Sequence, residues 1–568
     1  MSRQLALSST WLAVLLSAPA CKHAPAEPAA PAEDAGASEA RDAGASEARD
    51  AGELRPPKQG FWRDAVFYEI FVRSFADSNG DGTGDLAGLT AKLDVLSDGD
   101  PATTHDLGVN GIWLMPIHPS PSYHGYDVTD YTAINPAYGS LADFEAFLAA
   151  AHRRGIKVII DFVLNHSSQE HPWFKASSAR PTAPERSFYS WRADDPGWTQ
   201  PWGSSHVWHP LGGQFYYGIF WSGMPDLNLG NPEIERRMLE AMRFWLARGV
   251  DGFRVDAVRH LFESSDGQLS DQPEAHAFSR RIRAALEREH PRVLLVAEAW
   301  TSLAIVSTYY GAGDEYHLAF GFDTAAALKT AAKDGLRADF NLALTNAERS
   351  YADRGFEAPF LSNHDMTRVM RELGGDPGAM RVAAAALFAL PGTPFLYYGE
   401  EIGMQGGATP ADEDKRTPMR WTRTAPGYGF TTAARAWREA PEAAGIDVES
   451  QRGDPRSLWS LYRDLIGVRR STPALAIGAA SRPALTGGGR GTTALLRTMS
   501  DERVLFVVNF HTEASGAFDV ATKGAPEGAT EGAPEVLFAE GLDGRPAANG
   551  EQIHVAGLAP RGFAFLRL

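Results

Sequence analysis

The sequence predicts an α/β protein: a (β/α)₈ barrel with a subdomain inserted after its third strand and an antiparallel β domain behind it. Short β-rich segments, each followed by a helical pattern, predict the alternating strands and helices of the barrel. The predicted strands are 65–71, 111–116, 158–162, 252–256, 294–298, 318–321, 359–362 and 394–398. About 90 residues separate the third strand from the fourth, which predicts an insertion because connections are normally far shorter.

Composition and patterning divide the chain into five parts. The insertion is rich in Trp, Pro, Gly and Tyr and has little helical periodicity, whereas apolar and polar residues alternate after residue 471, as in an antiparallel sheet. We therefore expect a signal peptide at 1–20, a tether at 21–58, the barrel at 59–166 and 229–470, the inserted subdomain at 167–228, and a C-terminal β-sandwich at 471–568.

Charge and cysteine content exclude several classes of protein. The 568 residues contain 54 Lys and Arg against 71 Asp and Glu, a net charge of −17, which excludes a broadly basic surface for nucleic acid. Apolar residues make up 44% of the chain and aromatic residues 10%, enough for a large core. The single cysteine excludes an internal disulfide and Cys-rich metal sites. We expect a monomer with no nucleic-acid partner.

The N-terminus predicts export and lipidation. Arg3 precedes a short apolar run at 11–16 and small residues at 17–20, as in a signal peptide, and the run is too short to span a membrane. The residues before Cys21 resemble a bacterial lipobox, although Ala18 stands where Leu is usual. We therefore expect lipidation at Cys21 and attachment to the cell envelope through the lipid alone. The alternative is ordinary secretion with an incidental cysteine.

The tether itself has a simple composition. Residues 22–58 are rich in Ala, Pro, Glu, Asp and Gly, and the sequence Asp-Ala-Gly-Ala-Ser-Glu-Ala-Arg occurs twice in tandem, at 34–41 and 42–49. Such a segment predicts a solvated linker between the lipid and the folded body.

Polar residues cluster where the predicted strands end. In a barrel of this kind the catalytic residues lie at the carboxyl ends of the strands. The residues in these positions are His166, Arg254, Asp256, Glu298, His364 and Asp365. Arg254 and Asp256 are two residues apart and therefore point to the same face. A salt-bridge network is one alternative, although buried charges are costly. A metal site of the three acids and the histidines is another, and paired carboxylates also suit glycoside hydrolysis.

These segments resemble the conserved regions of the α-amylase family, barrel enzymes that hydrolyse or transfer α-glucans with retention of configuration. The resemblance covers the chain from about residue 61 to 568. It implies that Asp256 is the nucleophile, Glu298 the general acid and base, and Asp365 a residue that binds sugar hydroxyls and stabilises the transition state. It also implies substrate contacts for Tyr126, Asp127, His166, Arg254, Arg259, His260, His364 and Arg416.

Some of these implied roles are specific. Tyr126 would stack on the sugar ring, and Arg254 would keep Asp256 ionised through charge pairing. Arg259 and His260 resemble the Lys-His pair with which α-amylases hold sugars on the leaving-group side, with Arg in place of Lys.

Residues 77–85 predict a calcium site. They place oxygen side chains at alternate positions around glycines, as loops for hard cations do. An EF-hand is excluded because Gly88 stands where its twelfth residue, a Glu, is required. A polar turn is the alternative. The resemblance implies one Ca²⁺ bound by the side chains of Asp77, Asn79, Asp81 and Asp85 and by the carbonyl of Thr83. Asn165 matches a ligand of the family's second calcium site.

Other motifs point to a mixed specificity. Residues 224–228 resemble a motif of neopullulanases and of a group intermediate between these and oligo-1,6-glucosidases. The calcium loop resembles that of the oligo-1,6-glucosidase branch. We expect an α-amylase that hydrolyses α-1,4 bonds of starch and maltooligosaccharides by double displacement. Alternatives are an exo-acting α-glucosidase, a neopullulanase or cyclomaltodextrinase, or a trehalose synthase-like transglycosylase. A non-catalytic glycan-binding lipoprotein is a further alternative, but such proteins usually lack a catalytic carboxylate.

Overall fold

The computed structural model describes residues 60–351, 357–439, 441–522 and 533–568. The predicted signal peptide, Cys21 and the tether lie outside the described residues. Of the helices described, none is both long enough and apolar enough to cross a membrane.

The strands form the sheets of the barrel, the inserted region and the C-terminal part. In chain order they are β1 (Phe67–Ile70), β2 (Gly111–Leu114), β3 (Lys157–Phe162), β4 (Trp191–Arg192), β5 (Trp208–Leu211), β6 (Gln214–Tyr217), β7 (Gly252–Val255), β8 (Leu294–Ala297), β9 (Leu318–Ala319), β10 (Phe395–Tyr397), β11 (Ala479–Ser481), β12 (Leu485–Gly487), β13 (Thr492–Met499), β14 (Glu502–Asn509), β15 (Phe518–Ala521), β16 (Glu535–Asp543), β17 (Ala547–Asn549), β18 (Gln552–Val555) and β19 (Gly557–Arg567).

The helices lie mostly between the strands of the first sheet. They are α1 (Val72–Phe75), α2 (Leu86–Ala91), α3 (Leu93–Leu96), α4 (Leu141–Arg153), α5 (Pro172–Ala179), α6 (Pro232–Leu246), α7 (Pro273–Glu289), α8 (Leu303–Val306), α9 (Phe322–Asp334), α10 (Ala338–Tyr351), α11 (Val369–Glu372), α12 (Pro377–Ala389), α13 (Asp412–Lys415), α14 (Val448–Gln451), α15 (Leu458–Ser471) and α16 (Pro473–Ile477). Short 3-10 turns occur at Phe61–Asp64, Pro184–Phe188, Val258–His260, Ser307–Tyr310 and Glu400–Ile402.

The first sheet closes into a barrel, and the predicted fold class is confirmed. Its parallel strands follow the order β10-β1-β2-β3-β7-β8-β9. Two parallel bridges close the ring, Phe320 with Ala358 and Phe360 with Phe395. The predicted strand at 359–362 is therefore reduced to two bridges, because Pro359 between them has no N–H to donate to a ladder.

Aromatic side chains fill the barrel interior. Phe67 of β1 stacks on Phe395 of β10, with ring centroids 4.6 Å apart and planes 7° apart. Trp113 and Phe320 join the same buried cluster from β2 and the end of β9. The described part of the interior is thus a packed core, and polar side chains gather towards its carboxyl-end mouth.

The inserted region between β3 and α6 forms a small sheet and a helix. β4, β6 and β5 pair antiparallel in that order, and a buried cluster that includes Trp208 and Tyr217 backs them. The helix α5 was not expected from the periodicity; it begins at Pro172 after His171, whose ring accepts from the Trp173 amide. An antiparallel bridge between His166 and Asp226 joins the two ends of the insertion at the barrel mouth.

The C-terminal part pairs two antiparallel sheets, in strand orders β11-β13-β14-β19-β16 and β12-β15-β18-β17. Leu505 and Phe518 belong to the apolar cluster between them. Phe506 and Phe565, on the opposite face, belong to the main core that includes the barrel helices. The C-terminal domain therefore packs firmly against the barrel.

Candidate active site

The guanidinium of Arg254 binds three carboxylates at the barrel mouth. Arg254 of β7 is fully buried, and its Nη1 donates to Asp256 Oδ1 at 2.7 Å and to Asp161 Oδ1 at 2.8 Å. Its Nη2 lies 2.9 Å from Glu298 Oε2. Asp256 and Glu298 each follow the last residue of their strand, β7 and β8, so neighbouring strand ends bring them to the same guanidinium. A cation bound to the same oxygens would be repelled by Arg254, which argues against the metal-site alternative.

A strained turn fixes the two acids relative to each other. Ala257 follows Asp256 and adopts the left-handed conformation, with φ 49° and ψ 40°, which is unfavourable for a residue with a Cβ. This conformation lets its N–H donate to Glu298 Oε2 at 3.0 Å. Backbone strain of this kind persists where the surroundings determine it and is common at functional sites.

Asp365 lies in a second charged cluster with His364, Arg416 and Glu69, which is called the nest below. His364 Nε2 is 3.0 Å from Asp365 Oδ2, and Arg416 Nη2 is 2.8 Å from Asp365 Oδ1. The other His364 nitrogen lies 2.5 Å from the buried Glu69 of β1. The Asp365 side chain is the more exposed end of the nest, at 32%, so it faces the open mouth of the barrel.

Burial and charge set the ionisation of these groups. Burial raises the pKa of Asp256 to about 6, although Arg254 acts in the opposite direction. Burial likewise raises the pKa of Glu298, against the pull of Arg254. Burial disfavours ionised Asp365, but His364 and then Arg416 outweigh it and hold the pKa of Asp365 far below its usual range. Burial opposes the imidazolium of His364, yet Asp365 and Glu69 raise its pKa to about 9. At neutral pH the site therefore combines an ionised Asp365 with a charged His364.

Tyr126 joins the two halves of the site. Its hydroxyl donates to Asp161 Oδ2 at 3.0 Å and lies 2.6 Å from His364 Nε2. Its ring stacks on that of His364, with centroids 5.6 Å apart and planes 17° apart. Its neighbour Asp127 is buried, and its Oδ1 accepts hydrogen bonds from Ser120 and Ser122.

His166 presents an unused nitrogen. Its Nδ1 lies 2.9 Å from Asn165 Oδ1, whereas its buried Nε2 has no hydrogen-bond partner. Burial lowers the pKa of His166 to about 3, so the ring is neutral and Nε2 can serve one ligand hydroxyl.

Of the remaining predicted substrate contacts, Arg416 lies among the charged residues of the site, whereas Arg259 and His260 bind other parts of the chain. Arg416 is buried in the nest, where its Nε donates to the His364 carbonyl at 3.0 Å. Arg259 instead points to Asp271, with Nη2 2.6 Å from Oδ2, and Nη1 donates to the carbonyl of Trp300 at 3.0 Å. His260 Nδ1 lies 2.9 Å from the carbonyl of Leu269.

Comparison with known proteins decides the family. The family model of the α-amylase catalytic domain matches residues 69–478. The chain belongs to the α-amylase family. Alpha-amylase 3 of Dictyoglomus thermophilum is 35% identical over 474 residues, covering 79% of this chain and 85% of that protein. The trehalose synthase/amylase TreS of Mycolicibacterium smegmatis is 36% identical over 484 residues, covering 74% and 78%. The crystal structure of the α-amylase from H. orenii matches with a TM-score of 0.79 and 38% identity, covering 89% of this chain and 99% of that one.

The chain is therefore an enzyme of the α-amylase family, a group of glycoside hydrolases and transglycosylases. Two buried acids of this α-amylase family member received no role from the sequence, although both bind charged residues of the site. Glu69 lies within the apolar segment of β1, and Asp161 lies within that of β3. A charge inside a strand that is buried on both faces was the available signal, since such a charge needs a partner.

The predicted calcium loop has suitable ligand types, but its oxygens are occupied by the loop itself. Asp77 Oδ1 accepts from the Gly80 amide at 2.7 Å, and Asp81 Oδ1 accepts from the Thr83 amide at 2.8 Å. Asp85 Oδ1 caps α2 by accepting from Gly88 at 2.7 Å. Among the described residues, no group of three or more His, Cys, Asp or Glu side chains is arranged to hold a metal ion. Three carboxylates and an amide within nine residues nevertheless match the hard donors that Ca²⁺ prefers.

Proposed function

We propose that this enzyme is an α-amylase that hydrolyses α-1,4-glucosidic bonds of starch and maltooligosaccharides by a retaining double displacement. The observation that carries the proposal is the buried Arg254, which binds both Asp256 and Glu298. Two carboxylates bound to one guanidinium lie at the same end of the barrel and can flank one glycosidic bond, as the retaining mechanism requires.

In the first step Asp256 attacks the anomeric carbon while Glu298 gives its proton to the departing glycosidic oxygen. The bond to the leaving sugar breaks as the bond to Asp256 forms, which yields a covalent β-glycosyl-enzyme. Glu298, now ionised, takes a proton from water, and that water displaces Asp256 from the anomeric carbon. The product has the α configuration, because two inversions restore it.

The local electrostatics suit these two roles. Asp256 is ionised at neutral pH because Arg254 limits the rise in its pKa. Glu298 must hold a proton at the start, and burial together with the nearby Asp256 and Asp365 raises its pKa. When Asp256 becomes an ester its negative charge disappears, so Glu298 ionises more readily and can act as the base in the second step.

The remaining polar groups would hold the sugar that is being cleaved. Asp365 is ionised and partly exposed, so it can accept hydrogen bonds from two sugar hydroxyls. The neutral His166 offers its unpartnered Nε2 to a third. Tyr126, fixed against His364, offers a ring face beneath the sugar.

We further propose that residues 77–85 bind one Ca²⁺ through the side chains of Asp77, Asn79, Asp81 and Asp85 and the carbonyl of Thr83. The donor chemistry supports this, and the ion would require some of these oxygens to turn away from the loop amides. The loop already joins two distant segments, since the Asp77 amide donates to the Phe430 carbonyl at 2.8 Å. Calcium would strengthen that junction and take no part in the chemical steps.

We also propose that the enzyme is anchored to the cell envelope by a lipid on Cys21. The position of the only cysteine directly after a signal-peptide pattern supports this. Mass spectrometry of protein purified from membranes of a bacterial host tests it: a lipid on Cys21 is expected, and an unmodified Cys21 in soluble secreted protein would contradict it.

A second activity is favoured by the similarity to the trehalose synthase/amylase TreS. Such an enzyme would return the cleaved glucose to a sugar hydroxyl in place of water. Conversion of maltose to trehalose, followed by chromatography, distinguishes this activity from hydrolysis, which gives glucose only.

The main proposal is tested by a product time course on maltoheptaose and soluble starch, with Glu298→Gln as the blank. We expect mixed internal fragments such as maltose and maltotriose from the outset. Glucose released alone would make the enzyme an exo-acting α-glucosidase, and binding without turnover would indicate a glycan-binding protein.

A further inference from the structure

Asp271 has a strained backbone two residues before α7. Its φ is 57°, in the left-handed region, which aspartate tolerates better than most residues but which is still unfavourable. In this conformation its N–H donates to the carbonyl of Arg259 at 2.8 Å. The chain thus returns to the 3-10 turn Val258–His260 after a short excursion. Strain of this kind persists where the surroundings hold it, and it is common near functional sites.

The Asp271 carboxylate accepts hydrogen bonds from two segments of the chain. Arg259 binds it through two nitrogens, with Nε 3.0 Å from Oδ1 and Nη2 2.6 Å from Oδ2. The hydroxyl of the fully buried Tyr309 donates to Oδ1 at 2.8 Å. Burial would raise the pKa of Asp271, but the hydrogen bonds from Arg259 and Tyr309 outweigh it and lower that pKa. Asp271 is therefore ionised at neutral pH, and its bidentate pair with Arg259 is charge-assisted.

The two segments that Asp271 joins belong to the loops that carry the candidate nucleophile and the candidate acid. Arg259 lies in the turn after β7, the strand of the nucleophile. Tyr309 lies in the loop after β8, which begins at Glu298. Arg259 also reaches this second loop directly, because its Nη1 donates to the carbonyl of Trp300 at 3.0 Å. Asp271 therefore completes a link between the two catalytic loops.

This link lies beyond two shorter contacts between the same loops. The Ala257 amide donates to Glu298 Oε2 at 3.0 Å, and the Val258 amide donates to the Glu298 carbonyl at 3.2 Å. Both donors lie at the start of the turn that the pair of Arg259 with Asp271 fixes. Because Nε, Nη1 and Nη2 of Arg259 all bind within the protein, its geometry suits positioning better than contact with a sugar.

We propose that Asp271 is a positioning residue for Glu298. By binding Arg259 and Tyr309 it keeps the loop after β8 fixed against the turn after β7, so that the Glu298 carboxyl lies where it can protonate the departing oxygen while Asp256 attacks. Proton transfer requires hydrogen-bond distance, and a displacement of about 1 Å can cost about 100-fold in rate. This inference rests on the proposed glycosidase function and assigns part of the acid's efficiency to a residue outside the cluster of catalytic carboxylates.

Kinetics with a poor and a good leaving group test this role. Maltoheptaose needs a proton from Glu298 to release its sugar, whereas α-maltosyl fluoride releases fluoride with little need of one. In Asp271→Asn, which removes the charge and tolerates the left-handed conformation, we expect kcat for maltoheptaose to fall about tenfold with KM within about twofold. The kcat/KM for α-maltosyl fluoride, which reports the first step alone, should stay within about twofold. Unchanged kinetics for maltoheptaose would overturn the proposal.

Two further variants separate positioning from other roles. Tyr309→Phe removes one donor to the carboxylate and should give a smaller loss of the same kind. Asp464→Asn is the matched control, because Asp464 of α15 is also bound by two nitrogens of an arginine, Arg463, and should leave both substrates unaffected. A loss for maltoheptaose carried by KM would overturn the proposal, because Arg259 would then be a sugar contact. An equal loss in kcat/KM on both substrates would also overturn it, because the defect would then lie in folding or in Asp256.

Hydrogen exchange tests the link without turnover. By mass spectrometry, the amides of residues 299–310 should exchange faster in Asp271→Asn than in the parent, whereas in Asp464→Asn they should match the parent. Unchanged exchange in this loop would overturn the proposal, because Asp271 would then fix nothing there. If the unmodified enzyme hydrolyses neither substrate, the proposed glycosidase function is wrong, while this experiment still decides whether Asp271 fixes the loop.

Discussion

Replacing Glu69 by Gln tests how the site holds its charges. Glu69 is buried on β1 with its Oε1 2.5 Å from His364 Nδ1, and Asp365 lies 3.0 Å from the other ring nitrogen. Burial alone would favour a neutral imidazole, but these two carboxylates raise the pKa of His364 to about 9. Glutamine keeps the size and the hydrogen-bonding oxygen of Glu69 and removes its charge.

The size of the effect follows from the pKa. A rise in the pKa of His364 from 6.5 to about 9 corresponds to about 3.5 kcal/mol, since one pKa unit is worth about 1.4 kcal/mol. Because the folded pKa is raised, this stabilisation is fully present below pH 6.5 and is lost as the pH rises through 9. Glu69→Gln removes one of two carboxylates, so we expect the pH-dependent loss to shrink by about 1–2 kcal/mol.

The pH dependence is the informative quantity, more so than the stability at one pH. Burial also raises the pKa of Glu69 itself, so removing its charge relieves a desolvation penalty that offsets part of the lost attraction. Urea unfolding followed by tryptophan fluorescence at pH 6.5 and pH 9 gives the difference for each protein. If the variant lost as much free energy of unfolding between these pH values as the parent does, the assignment of a charged His364 would be refuted.

Four further predictions concern other parts of the molecule. Arg497→Met should lower the free energy of unfolding by about 3 kcal/mol in urea titrations, since Arg497 donates to the carbonyls of Ala389, Leu390 and Gly478 at 2.8–2.9 Å; a loss below about 1 kcal/mol would contradict this. Chelation of calcium should lower the melting temperature in scanning calorimetry, and Asp77→Ala should show no response to chelator; an unchanged parent would refute the calcium site. Ala257→Gly should raise the free energy of unfolding by about 1 kcal/mol by relieving the left-handed strain, whereas a loss would show that the strain is absent. The kcat/KM for maltoheptaose should fall below about pH 6, because the pKa of Asp256 is raised to about 6 and the protonated carboxyl cannot attack; a limb near pH 4 would contradict it.

The sequence was sufficient to predict the barrel and the gathering of Asp256, Glu298 and Asp365 at its mouth. Strand ends in a parallel barrel converge whatever the loops do, so strand position alone brings these residues together. The charge partners were harder to predict. Whether Glu69 meets His364 depends on how β1 lies against a loop residue 295 positions later in the chain, and no local pattern encodes that contact.

Two local features of the structure, a proline and an ion pair, could not be predicted from the periodicity of the sequence. Pro359 interrupts the predicted strand at 359–362 and leaves only two bridges, although the apolar pattern there favours a strand. Arg259, expected at the sugar, is held by Asp271, twelve residues later in the chain. This pairing depends on how the 3-10 turn Val258–His260 folds, which the sequence pattern does not show.

Covalent trapping of the glycosyl-enzyme intermediate tests the double displacement at Asp256 directly. The enzyme is incubated with 5-fluoro-α-D-glucosyl fluoride, quenched in acid and digested, and the peptides are analysed by mass spectrometry. We expect a fluoroglucosyl group on Asp256, absent from the Asp256→Asn variant, and newly released maltooligosaccharides in the α configuration by proton NMR. An enzyme that turns over maltoheptaose to β products, with no adduct on Asp256, would contradict the double displacement at this site.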